Sequence, residues 1–161
     1  MRTILCDATL WAAIFSLAII IGGSIYQSMV VFPAWTRNLP DSLTAFNKTD
    51  VKPSVFWASP LTSMLPMLSM IAATASNWGT PRQYWVLVSF LLYLLGMVTT
   101  VIYFIPKLKV IGIIDGKVAD DPVVLTQTTR NWILADKFRF YLLVLPAFFL
   151  LMKALGIPAG I

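Results

Sequence analysis

The sequence predicts an all-α fold: an integral membrane four-helix bundle of up-down topology, in a single domain over residues 1–161. Three observations predict it. The hydrophobic fraction is 58% and the charged fraction only 12%, against about 25% charged residues in soluble domains. Four segments reach the roughly 20 mostly apolar residues that a bilayer-crossing helix needs. The connections between them run long, short, long, so both larger loops emerge on the same side of the membrane.

The first span covers about 9–32, from Thr9 to Phe32. Arg2 followed by an apolar run resembles a signal peptide, but the run is too long for a cleaved leader and reads as a retained span. The second covers about 54–77. Pro53 opens it at a first-turn position, where a missing N–H costs nothing. Pro60 and Pro66 inside it should kink the helix and free carbonyls, with Ser59, Thr62 and Ser63 as the nearest hydroxyl partners. The third covers about 83–105, stopped by Pro106, and the fourth about 131–153. The short NWGTPR turn, 77–82, makes the second and third spans an antiparallel hairpin.

The larger loops are 33–53 and 106–130. In the first, Pro40-Asp41-Ser42 makes a helix start. A short helix over 40–48 would put Leu39, Leu43 and Phe46 on one face, as an interfacial helix or as a loop cap. In the second, GIIDGKVADDP (112–122) is turn-rich and acidic. A calcium loop needs more oxygen ligands at regular spacing, so this is a solvated turn.

Lipid tails do not drive helices together, so small residues must let backbones approach. Candidates are Ala18 with Gly22, Gly23 beside Ser24, Ser59 with Ser63, Ser69 with Ala73, and Ser89 with Gly96. Trp11, Trp35, Trp78, Tyr84 and Trp85 lie near predicted interfaces, where amphipathic rings anchor.

Twelve Lys and Arg oppose seven acids. Arg2, Arg82 and Lys153 belong to the termini and the short turn. The rest lie on the larger loops and the start of the fourth helix. The positive-inside rule places those loops in the cytoplasm and both termini outside, in a plasma or inner membrane. No nucleic-acid partner is expected, because the bases form no patch or motif. With no histidine and one cysteine, Cys6, His-dependent haem, zinc and copper sites, iron–sulfur clusters and His-based catalytic devices are excluded. No metal and no other cofactor is expected.

NWILADKFRFYLLVLPAFFLL, residues 131–151, is apolar enough to cross a membrane yet carries Asp136, Lys137 and Arg139. A charge at a helix centre costs about 2.5–3.5 kcal/mol on insertion scales. Lys137 can snorkel to the headgroups. Arg139 lies deeper, and Asp136 three residues before it can meet it on one face. With Asn131 and Trp132, the pair should form a polar stripe facing the bundle. Other helices bring polar residues to the same depth: Ser24, Tyr26, Gln27 and Ser28 from the first, Ser54, Trp57 and Ser59 from the second, Thr99, Thr100 and Tyr103 from the third. Together they suggest a polar, aromatic cavity at the loop-bearing end. The pair itself admits three roles: a structural staple, part of a ligand site, or a proton relay.

Three motifs carry a resemblance. They are GGSIYQSMVVFPAW, YFIPKLKVI, and the set Trp132, Asp136 and Arg139. On these the chain resembles the anthrone-oxygenase-like family of small four-span membrane proteins, most of unknown function. The resemblance covers nearly the whole chain. A few members are linked to oxidation of anthrones to quinones without metal or flavin. It implies a base that removes an acidic C–H proton, a cationic stabiliser, and an aromatic slot, after which the carbanion passes an electron to dioxygen. Asp136 would then be the base and Arg139 the stabiliser. Trp57, Trp132, Tyr26 and Tyr103 would be walls, with Gln27 and Asn131 as further ligand contacts.

Two function classes stand side by side. One is a binder or oxidiser of a flat hydrophobic phenol or quinone. The other is a non-catalytic accessory subunit that packs beside a larger membrane complex or another copy of itself. The bilayer is the partner common to both.

Overall fold

The computed structural model describes residues 2–48, 60–113 and 121–159. It is an all-α helical bundle with no strands among these residues. Helix α1 is Arg2–Thr36, α4 is Gln83–Val110 and α5 is Pro122–Leu155, and all three are long and apolar enough to cross a membrane. Helix α2 is the short Asp41–Asn47. Helix α3 is Pro60–Ser76. The expected start of the second span, 54–59, lies outside the described residues, as does most of the expected 112–122 turn.

α1 packs against α3 and the second half of α5, and α4 packs against α3 and α5. Cross-helix bonds fix the directions. Ser16 meets Ser69 at 2.8 Å and Thr9 meets Ser76 at 2.6 Å, so α1 and α3 are antiparallel. Ser89 Oγ donates to the Ala147 carbonyl at 2.7 Å, and Arg82 reaches Ile157, so α4 and α5 are antiparallel too. The turn after α3 closes with Gly79 at φ +75°, a left-handed position that favours glycine. Its amide donates to Gln83 Oε1 at 2.8 Å.

Of the five small-residue pairs, Ser59 and the Ser63 side chain lie outside the described residues, Ser24 is buried beside half-buried Gly23, and two more pairs are contact surfaces. Ser69 and Ala73 are buried, and Ser89 is fully buried with Gly96 facing Leu143. Ala18 and Gly22 are exposed, with no atom within 4 Å of where a Gly22 Cβ would lie. That motif makes no close contact among the described residues.

The long helices extend further than expected. α1 has 35 residues and α5 has 34, or about 50 Å each at 1.5 Å per residue, against a hydrocarbon core of about 30 Å. Two corrections follow. Pro106 does not stop the third helix, which runs on to Val110. The fourth begins at Pro122, not near 131, with Asp121 capping it by accepting from the Val123 amide at 2.8 Å.

Three prolines within the long helices are absorbed by wide π turns. These cover Gln27–Val31, Thr100–Phe104 and Phe140–Val144. Each ends two residues before a proline: Pro33, Pro106 and Pro146. A proline ring clashes with the carbonyl four residues earlier. Here that residue is Met29, Ile102 or Leu142, the middle of each wide turn. Widening moves the carbonyl away from the ring, so the helix continues.

Two hydrophobic clusters stack along the bundle. The deep one holds Leu10, Leu17, Met70, Val86, Tyr93 and Leu151, with Ala13, Ala73, Ala147 and Ala154 letting the helices close. The loop-side one holds Val31, Phe32, Trp35, Leu43, Phe104, Ile111, Ile113, Leu125 and Trp132. The expected short helix is present as α2. Leu39, Leu43 and Phe46 do share a face, and it packs onto this second cluster. α2 therefore caps the bundle. Trp35, expected as an interface anchor, is 1% exposed inside the cluster. Trp11, Trp78 and Tyr84 are exposed as an anchor requires.

Candidate functional site

The candidate site lies between the two clusters, where α4 and α5 cross. Asp136 is buried, only 4% exposed. Arg139, one turn later on α5, donates from Nη2 to Asp136 Oδ1. The sequence expectation that the two charges turn inward and pair therefore holds. Lys137, between them, is exposed.

A second helix completes the arrangement. Arg139 Nη1 donates to Thr100 Oγ1 at 2.6 Å, and Thr100 Oγ1 donates in turn to the Gly96 carbonyl at 2.8 Å. The roles are fixed, because a guanidinium can only donate. The guanidinium carbon lies 4.2 Å from the centre of the Phe104 ring, a cation–π contact. Thr100 and Phe104 are the first and last residues of the α4 π turn. The remaining N–H groups of Arg139 make no hydrogen bond among the described residues.

On the loop side of the pair stands an aromatic stack. Trp132 contacts Phe32, Trp35 and Phe104 at centroid distances of 5.7, 5.9 and 5.4 Å. Its indole N–H points to the Phe104 carbonyl at 3.4 Å. The Phe32 and Phe104 contacts are edge-on, which suits the ring quadrupoles, and the Trp35 ring is tilted. Trp132 is thus a core ring, and its faces are taken by other side chains. It does not line an open slot.

The other expected site residues divide. Gln27 is buried, at 6% exposure. Tyr26 is 61% exposed and points away from the bundle. Neighbouring residues on a helix diverge by about 100°, so only one of this pair can face inward. Asn131 is exposed and lines a surface groove with Leu39 and Arg130. It is eight residues from Arg139, which leaves it about 80° off that face. Tyr103 is 37% exposed and stands edge-on to Phe104 at 5.2 Å. Trp57 lies outside the described residues. The structure brings together Asp136, Arg139, Thr100, Phe104 and Trp132, and leaves Tyr26 and Asn131 outside.

Phe104 and Phe32 were not among the expected site residues. The signal available for Phe104 was its spacing of four from Thr100, the nearest polar residue of the third helix. Also unforeseen is the ion pair at the opposite end, where buried Arg82 binds Asp7 and the Ile157 carbonyl. Among the described residues no three acidic or cysteine side chains come together as metal ligands.

No protein-family model, no curated protein and no solved structure matches this chain.

Proposed function

We propose that this bilayer-embedded bundle binds a flat hydrophobic molecule bearing a phenol or quinone oxygen, held by Arg139. One observation carries the proposal. Arg139 is 20% exposed at its side chain, is anchored by Asp136, Thr100 and the Phe104 ring, and has N–H donors left over. An anchored cation with spare donors beside an aromatic face suits an oxygen acceptor on a ring. The interior is filled by Trp132 and its neighbours, so the ligand approaches from the bilayer side of the α4–α5 seam. Tyr103 flanks that approach. The resemblance to anthrone-oxygenase-like proteins supports the same ligand class.

The larger loops are proposed to be cytoplasmic. Arg37, Lys48, Lys107, Lys109, Arg130 and Lys137 are all exposed at that end. At the other end Arg82 is internal, leaving Arg2 and Lys153 as exposed cations.

The test is equilibrium binding of a coloured hydroxyanthraquinone to the purified protein in lipid nanodiscs. Saturable binding is expected, weakened at least about tenfold in Arg139→Gln, because hydrogen bonds to charged groups contribute about 1.5–3 kcal/mol. Binding that ignores this substitution would sink the proposal. Oxidation is a further step. It requires Asp136 to part from Arg139 and take a carbon-bound proton. Dioxygen uptake with an anthrone, abolished in Asp136→Asn, tests that step.

A second proposal, an accessory subunit, rests on Ala18 and Gly22. They are the small-residue motif left open on the outer face of α1, where another transmembrane helix can approach closely. Extraction in mild detergent separates the two: stoichiometric co-purification of a partner, lost in Gly22→Leu, supports the subunit.

A further inference from the structure

We propose that the loop-bearing end holds one anionic phospholipid, with its phosphate on Arg130 and Lys137 and an acyl chain along the outer face of α5. A groove of about 510 Å³ lies between the Leu39–Pro40 turn and the first turns of α5. Val123, Gln127, Arg130 and Asn131 form its α5 wall. From there the same stripe of α5 runs toward the deep cluster. Residues three or four apart share a helix face, and Gln127, Arg130, Leu134, Lys137, Phe138 and Tyr141 follow that spacing.

The stripe changes character along its length. Arg130 and Asn131 lie where α5 meets the predicted membrane boundary. Beyond them Leu134, Phe138 and Tyr141 are 55%, 57% and 62% exposed among the described residues. A headgroup-level groove thus leads into an apolar track at the level of acyl chains.

Charge complementarity selects the headgroup. Arg130 and Lys137 are exposed, and neither is paired with an acid among the described residues. Among the described residues the neighbouring acids are committed or lie outside the wall: Asp121 accepts the Val123 and Val124 amides, Asp136 binds Arg139, and Asp41 opens α2. One helical heptad separates the two cations, about 10 Å along the axis. Arg130 meets the phosphate at the boundary, and the long Lys137 side chain, leaning toward the N-terminal end of α5, snorkels up to it past Leu134. An acidic peptide would satisfy the cations but would leave the apolar track uncovered. A phospholipid satisfies both.

Native mass spectrometry of the full chain, released from detergent with equal amounts of phosphatidylglycerol and phosphatidylcholine, tests this. Phosphatidylglycerol should be retained preferentially. Each cation near a charged headgroup is worth roughly fivefold in binding, so Arg130→Gln and Lys137→Gln should each lower retention by about that factor. Lys153→Gln, at the opposite end, should not. Equal retention of the two lipids by the unaltered chain overturns the proposal, whatever the variants do. So does displacement of the lipid by glycerol phosphate at equal concentration, which would mark an anion site indifferent to acyl chains.

Discussion

Arg139 Nη1 donates to Thr100 Oγ1 at 2.6 Å, and this bond ties α5 to α4 at the level where the two hydrophobic clusters meet. The same guanidinium holds Asp136 through its other arm. One side chain therefore neutralises a buried carboxylate and bridges two helices.

The first consequence concerns Asp136. Asparagine in its place keeps the shape and removes the charge, leaving a largely buried guanidinium without its counter-ion. Breaking such a pair costs about 3 kcal/mol or more, whereas replacing both partners with apolar residues is often neutral. In thermal unfolding of the detergent-solubilised protein, Asp136→Asn should fall well below the double variant Asp136→Leu with Arg139→Met. A double variant less stable than the single one would show that the pair contributes more than it costs to bury.

Thr100→Val should cost about 1.5 kcal/mol, the lower end for hydrogen bonds to charged groups. Valine keeps the branched shape but offers no acceptor to Arg139. Thr100→Ser keeps the oxygen and should restore most of the loss. The unfolding midpoints of the two variants give the comparison, and equal midpoints would mean the bond contributes nothing measurable.

The paired charges were legible in the sequence because two general facts bear on them: a charge within a span is costly, and residues three apart share a face. α2 was legible for similar reasons, from the Pro40-Asp41 start and the spacing of Leu39, Leu43 and Phe46. The helix extents were not. Pro106 reads as a stop, and only the wide turn ahead of it, a three-dimensional response, shows how the helix continues. The start of α5 did carry a signal, since Asp121-Pro122 is a capping residue followed by a first-turn proline. Trp35 shows a different limit. A tryptophan near a membrane boundary suits an anchor and a core equally well, and its burial follows from α2 folding over it.

Gly96 tests how close α4 and α5 are. A Cβ added there would lie 3.9 Å from Leu143 Cδ1, an ordinary contact. Gly96→Ala should therefore fold normally and gain up to about 1 kcal/mol from helix propensity. A loss of stability, read from the unfolding midpoint, would mean the helices approach more tightly than this geometry.

At the far end, Arg82 is 6% exposed at its side chain and Asp7 43%. Arg82 also holds the Ile157 carbonyl, so its loss breaks two links between chain segments distant in sequence. Arg82→Met should cost about 2–3 kcal/mol. Asp7→Asn keeps an acceptor for Arg82, and water at the half-exposed Asp7 position reaches the charge left behind, so it should cost less than Arg82→Met although Arg82 itself is buried. Proteolysis of the C-terminal segment offers a second readout, and it should quicken in Arg82→Met alone. Equal sensitivity of the two variants would mean that the Asp7 charge, not the carbonyl tether, does the holding.

Tyr93 gives the prediction with the least expected sign. Its ring is packed in the deep cluster at 5% exposure. Its hydroxyl is buried and has no hydrogen-bond partner among the described residues. A buried, unsatisfied polar group costs about 1–3 kcal/mol, and no bulk water is at hand within a bilayer to relieve it. Phenylalanine keeps the ring and its contacts and removes only the oxygen. Tyr93→Phe should therefore raise stability by about 1 kcal/mol, seen as a higher midpoint of thermal unfolding with unchanged helical content. If the midpoint drops instead, the phenol oxygen has a partner in the folded protein, and the deep cluster encloses a polar guest such as a buried water.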